Sequence, residues 1–257
     1  MRNDSMVISR YENKYLIRET MARAIADYLR GICVPDKHAG ADGRYMVNNL
    51  YFDTPDLRFY HDTRNKRYTR FKPRVRYYGP RPTDFLWIEL KHKVKNVTWK
   101  KRRRIAVADW PEFLHDGSCR PPANPAWITL ADSFEDAVCR FGAHPVVQVQ
   151  YIREPYVSEL DDYCRITFDR CLTFRSVRGS YELVANENLT YFDNTVDTAF
   201  CSCESPVILE IKTETNVPIW VLRLIRRFEL IQRGFSKYCN AIEAAMGYTA
   251  CSLRRLA

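Results

Sequence analysis

Arg70-Phe71-Lys72-Pro73-Arg74-Val75-Arg76-Tyr77-Tyr78-Gly79 alternates with a period of two. Read as a strand, it puts Arg70, Lys72, Arg74 and Arg76 on one face and Phe71, Val75 and Tyr77 on the other. Four like charges along one face repel each other, and no apolar core accepts them. That face either opens to water or lines a cavity holding several negative charges.

The pattern recurs. Arg10, Glu12 and Lys14 alternate with Tyr11 and Tyr15; Glu89, Lys91 and Lys93 alternate with Leu86, Ile88 and Leu90. Glu210 and Lys212 oppose Val207, Leu209 and Ile211, while shorter runs contribute Arg153, and Arg165 with Asp169. Each apolar face needs something to pack against, so the charged faces point the other way. If such a sheet closes, its lumen is charged and its helices lie outside, and a polar lumen holds water or a polar ligand.

The remaining punctuation supports a mixed chain. Helices are expected over Glu19 to Gly31, Phe134 to Phe141, Pro218 to Ile231 and Ser236 to Met246, with a short capped one at Asp109 to Leu114. Val34 to Gly43 reads as a loop and residues 121–125 as a stiff connector. Strands are expected at Tyr45 to Asp53 and near 70–78, 85–95, 99–107, 146–154, 163–169, 172–178 and 206–213. Of 257 residues 46% are hydrophobic, ample for a core, and a single domain over 1–257 is expected. No apolar run reaches membrane-spanning length and the N-terminus lacks a signal-peptide pattern, so a cytoplasmic protein is expected. Nine cysteines at irregular spacing, with no CxxC and five scattered histidines, argue against zinc and for reduced thiols. The net charge of +9 favours polyanionic partners, but no nucleic-acid-binding motif is present. Lys100-Lys101-Arg102-Arg103-Arg104 projects to both faces of a strand and reads mostly as a solvated patch.

Eight segments, in order, carry a resemblance: Arg10-Tyr11-Glu12-Asn13-Lys14-Tyr15, Tyr51-Phe52-Asp53-Thr54, Arg74-Val75-Arg76-Tyr77-Tyr78-Gly79, Ile88-Glu89-Leu90-Lys91, Tyr151-Ile152-Arg153, Arg165-Ile166-Thr167-Phe168-Asp169, Leu209-Glu210-Ile211-Lys212 and Phe235-Ser236-Lys237-Tyr238. The chain resembles the VTC domain, the polyphosphate-polymerase domain of the triphosphate tunnel metalloenzymes, over roughly residues 7 to 247. The resemblance implies an α+β fold, an antiparallel eight-stranded tunnel with a charged lumen and helices outside. It implies transfer of the terminal phosphoryl of ATP to inorganic polyphosphate. By motif position the phosphate ligands would be Lys14, Arg74, Arg76, Lys91, Arg153, Arg165 and Lys237. Ser236 would be a neutral donor, and Glu210 the ligand of Mn2+ or Mg2+.

That chemistry suits these residue types. Phosphoryl transfer needs aligned groups and neutralised equatorial oxygens, which guanidinium forks, ammonium groups and a divalent ion supply. Glu12 and Glu89 read as structural partners of the basic wall, and either could instead help to hold the metal. Two positions depart from the resemblance: Arg10 stands where the hydrolytic tunnel enzymes carry their first acid, and Gln232-Arg233-Gly234 where eukaryotic polymerases carry another lysine. A triphosphate hydrolase and a non-catalytic polyanion-binding module are the alternatives. Coupling to a membrane would need a separate partner.

Overall fold

A computed structural model of the chain describes residues 11–95, 97–114, 133–161, 163–183, 189–192, 207–214 and 216–247. They divide into two compact units. One is built mainly from Asn48–Val149 and Phe174–Leu189, the other from Ser9–Val47, Gln150–Thr173 and Thr190–Ala257. Arg10 and the 121–125 connector lie outside the described residues.

The strands are β1 (Tyr11–Ile17), β2 (Cys33–Pro35), β3 (Tyr45–Asp53), β4 (Thr69–Tyr78), β5 (Phe85–Val94), β6 (Val97–Ala106), β7 (His144–Ser158), β8 (Cys164–Ser176), β9 (Thr190–Tyr191) and β10 (Val207–Thr213). The helices are α1 (Glu19–Leu29), α2 (Arg58–Arg64), α3 (Phe134–Phe141), α4 (Ile219–Arg227) and α5 (Lys237–Ala245). Hydrogen bonding orders eight strands β1-β10-β8-β7-β3-β4-β5-β6, with β2 added to β7 and β9 to β8. Every pair whose register is defined is antiparallel, so the α+β antiparallel expectation stands.

In the first unit the alternation works as the sequence implies. Phe71, Val75 and Tyr77 of β4 and Leu86, Ile88 and Leu90 of β5 join Phe52, Phe59 and Phe134 in one buried cluster. Helix α2, absent from the sequence reading, is held at its start by an anchor. The buried Asp53 carboxylate accepts the backbone N–H groups of Thr54, Phe59 and Tyr60, and Thr54 Oγ1 accepts that of Arg58. The Asp-Thr of the Tyr-Phe-Asp-Thr segment is thus a helix cap.

The second unit buries Tyr15 and Ile17 of β1, Ile166 and Phe168 of β8, and Leu209 and Ile211 of β10 against α1 and α4. The inner stripe of α1 is Ala22, Ile25 and Leu29, with Met21 only half-buried at its margin. The two strands expected at 163–169 and 172–178 are one continuous β8. The break between them survives as a single residue, Cys171, at φ 51°. Ser236 caps α5 as expected, its Oγ accepting from Cys239 N. Cys33, Cys164, Cys171 and Cys239 are free, whereas Cys139 is disulfide-bonded, which corrects the expectation of wholly reduced thiols. Among the described residues no helix is long and apolar enough to cross a membrane.

Candidate functional site

Residues directly opposed on neighbouring strands share a face. In the first unit Arg74 stands opposite Glu89 and Glu89 opposite Arg102; Lys72, Lys91 and Lys100 line up likewise, as do Arg76, Trp87 and Arg104. Arg70 and Lys93 continue the face. Among the described residues of β4, β5 and β6 it carries nine cations, Arg70, Lys72, Arg74, Arg76, Lys91, Lys93, Lys100, Arg102 and Arg104, and one carboxylate, Glu89.

Glu89 is 1% exposed and gathers its neighbours. Its Oε2 accepts from Arg74 Nε at 2.7 Å and lies 2.6 Å from Arg74 Nη2, while Oε1 accepts from Lys100 Nζ at 2.8 Å. Arg76 Nε stands 4.0 Å away and donates to Asn49 Oδ1 at 2.9 Å. Burial alone would raise the Glu89 pKa, but Arg74, Arg76 and Lys100 hold it well below the usual carboxylate range. One negative charge cannot neutralise three adjacent positive ones. The cost falls on Lys100, which burial and the two arginines push down to about 7 despite its bond to Glu89. About a third of its side chain still meets solvent.

The second unit holds a different, nearly balanced cluster. Asp169 on β8 is fully buried. It takes a bidentate pair from Arg153 of β7 (Nε to Oδ1 2.7 Å, Nη2 to Oδ2 2.8 Å) and a third bond from Lys237 Nζ at 2.6 Å. Lys237 also sits 4.7 Å from the Tyr151 ring centroid, and Arg153 5.3 Å from it. Burial would raise the Asp169 pKa; Arg153 and Lys237 reverse that and lower it. Arg153 is in turn held protonated, well above its ordinary value, mainly by Asp169.

Beside it, β1 and β10 pair Glu12 with Lys212 and Lys14 with Glu210, a checker of alternating charge. The ion pairs run along the strands: Lys14 to Glu12 at 3.0 Å and Lys212 to Glu210 at 2.8 Å. Arg153 Nη2 adds a 3.7 Å contact to Glu210. Burial and the Glu12 carboxylate push Glu210 up, yet Lys212, Lys14 and Arg153 prevail and bring it to about 2.

Two carboxylates close enough to perturb each other suit a hard divalent cation, which prefers oxygen ligands. A third oxygen lies at hand: Thr167, opposite Glu210, has a buried Oγ1 that finds no hydrogen-bond partner among the described residues. Among the described residues no three His, Cys, Asp or Glu converge, so a cation there would complete its shell with water or phosphate oxygens.

Of the expected residues, Arg74, Arg76 and Lys91 share the first face, and Lys14, Arg153, Lys237 and Glu210 gather in the second unit. Arg165 shares a face with Glu210 but is half exposed, with Asp36 at 4.0 Å. Ser236 spends an oxygen lone pair on its cap, accepting from Cys239 N at 3.3 Å. Lys100, Asn49 and Asp169 were missed as partners. Lys100 was legible in principle, because the two residues between Val94 and Val97 set the parity that places it opposite Lys91. The basic block is exposed throughout and projects to both faces, as expected: Lys100, Arg102 and Arg104 belong to the charged face, and Arg103 pairs with Glu135 on the other.

The VTC domain profile matches residues 9–246. The chain belongs to the VTC domain family. No curated protein matches this VTC domain. Among solved structures it is similar to a candidate adenylate cyclase of Bacillus halodurans, at 12% identity and a TM-score of 0.51, covering 90% of this chain and 96% of that one. A candidate adenylyl cyclase of Hippeastrum, described as having a dominant triphosphatase activity, aligns at 12% identity and a TM-score of 0.46 over 91% and 96%. A protein of Pyrococcus horikoshii does so at 12% and 0.46 over 92% and 98%. The first of these likenesses shows the fold.

Proposed function

We propose that this VTC domain is a metal-dependent polyphosphate polymerase that moves the terminal phosphoryl of ATP onto inorganic polyphosphate. The observation that carries the reading is the imbalance on the β4–β5–β6 face, nine cations against Glu89. A face so rich in cations suits a ligand bearing many negative charges, and a polyphosphate bears one on every phosphorus.

In this reading Arg74, Arg76, Lys91 and Lys100 bind phosphate oxygens, the arginines as planar forks and the lysines as point charges. Lys14, Arg153, Arg165, Lys237 and the Ser236 hydroxyl bind phosphate in the second unit. A terminal oxygen of the polymer attacks the γ-phosphorus, the bond to the β-bridging oxygen breaks, and ADP departs with that electron pair. The attacking oxygen is already ionised, so no general base is required. The cations hold attacking and leaving oxygens in line and neutralise the three equatorial oxygens. Glu210, with Glu12 and Thr167, would hold Mn2+ or Mg2+, which supplies Lewis-acid stabilisation of phosphate oxygens. ATP as donor suits a cytoplasmic setting.

The test is incubation of the purified protein with γ-labelled ATP and Mn2+, with products resolved by gel. A ladder of long chains, lost in Glu210→Ala and in Arg74→Ala/Arg76→Ala, is expected. Release of free phosphate alone would make the protein a hydrolase. An undiminished ladder from the double arginine variant would sink the assignment of the basic face.

A further inference from the structure

The charged face of the first unit changes character at one end. There the cations are held by rings instead of carboxylates. The Arg102 guanidinium lies 4.3 Å from the Trp87 ring centroid, and that of Arg104 lies 4.5 Å from Phe85 and 5.9 Å from Trp87. Phe85 and Trp87 meet edge to face at 5.6 Å. Both rings are half-buried and both arginines exposed, so the strip is open from its arginine side. It does not belong to the core, because Leu86 and Ile88, which alternate with these rings, pack into the opposite face.

Inorganic polyphosphate has no π-face and gains nothing from two rings. A nucleobase does: it stacks on indole and on guanidinium planes alike. Trp87 stands directly opposite Arg76 across the β4–β5 ladder, on the same face and one strand spacing from it, a step that a ribose bridges. We propose that Trp87, with Phe85, Arg102 and Arg104, is the seat for the nucleobase of a nucleoside triphosphate whose phosphates lie on the adjoining cations. The proposal rests on the phosphoryl-donor reading above and adds a specificity-determining strip to it.

Calorimetric titration of the full chain with ATP and, separately, with inorganic tripolyphosphate tests it. Trp87→Ala is expected to weaken ATP about tenfold, within the range of base–aromatic stacking, and to leave tripolyphosphate within about twofold. Trp87→Phe, which keeps a ring, recovers most of the ATP affinity. Arg74→Ala/Arg76→Ala weakens both ligands, so failure of the phosphate site and failure of the base seat give different patterns. Should Trp87→Ala not fold, Arg102→Met on the exposed part of β6 carries the same comparison. Equal losses for ATP and tripolyphosphate, or an unmoved ATP affinity, would overturn the seat. Loss of a uridine decamer with ATP unmoved would overturn it in favour of single-stranded RNA. A wild-type protein that binds neither triphosphate overturns the seat together with the phosphate reading.

Discussion

Asp169→Asn replaces a fully buried carboxylate by an amide of the same shape. The native oxygens accept from Arg153 Nε, Arg153 Nη2 and Lys237 Nζ. The amide keeps one acceptor and turns an N–H2 toward groups that can only donate, so two buried cations lose their counter-charge. Breaking a buried pair from one side costs about 3–5 kcal/mol. Arg153 retains its 3.7 Å contact with Glu210, and Lys237 its place over Tyr151, so the low end applies, about 3 kcal/mol. The Asp169 pKa is lowered in the fold. Its contribution is therefore complete above the unfolded carboxylate range and fades as pH falls through the folded value, so the deficit should be full at pH 7 and shrink in acid. Urea unfolding at pH 7 measures it. The same substitution removes a competitor for Arg153 and Lys237, so if these bind phosphate the variant binds tripolyphosphate more tightly. A tenfold gain adds about 1.4 kcal/mol of ligand-induced stabilisation beyond that of the wild type. A loss under about 1 kcal/mol would refute the account of the cluster. Equal stabilisation of the two proteins by tripolyphosphate would remove Arg153 and Lys237 from the phosphate site.

Two further outcomes are expected. Lys100, lowered to about 7, should take up a proton when an anion binds at pH 8. Calorimetry in two buffers of different ionisation enthalpy should show more uptake in wild type than in Lys100→Arg, which stays charged, and identical uptake would mean that Lys100 does not meet the ligand. The slope with pH has the same sign as for Asp169, because both groups are lowered in the fold: the Lys100 cation is penalised below about 7 and the penalty lifts as pH rises toward the unfolded lysine value. Leu209→Ala, fully buried on β10 beside Glu210, should cost about 2–5 kcal/mol in the same urea assay. A cost below about 1 kcal/mol would show that the second unit's core collapses around the vacancy.

The strands were legible because charge and apolarity alternate without interruption: Phe71, Val75 and Tyr77 could face only one way once Arg74 and Arg76 faced the other. Pro73, which has no N–H for the ladder, would by itself argue against a strand flanked on both sides, and the alternation around it outweighed that signal. Helix α2 was illegible for a related reason. Its start is set by the Asp53 carboxylate reaching six and seven residues ahead, beyond any local capping pattern. The ligand set was legible as types on faces, but the pairing was not. That Glu89 binds Arg74 and Lys100, and that Asp169 unites β7, β8 and the start of α5, depends on register and burial, which a single strand's period does not contain.

Strand β6 ends the hydrogen-bonded path, so one of its two backbone edges has no strand beside it among the described residues. Such an edge is a template on which a second copy could lengthen the sheet. Here the template runs through five successive cations, Lys100 to Arg104, and a strand from another copy would bring its own five alongside. At the far end of the path, β1 has part of its edge occupied, since the Lys14 carbonyl accepts the Arg233 N–H at 2.9 Å. Like charge alongside like charge disfavours that pairing, and three of these residues, Lys100, Arg102 and Arg104, are also the ones that charge the face.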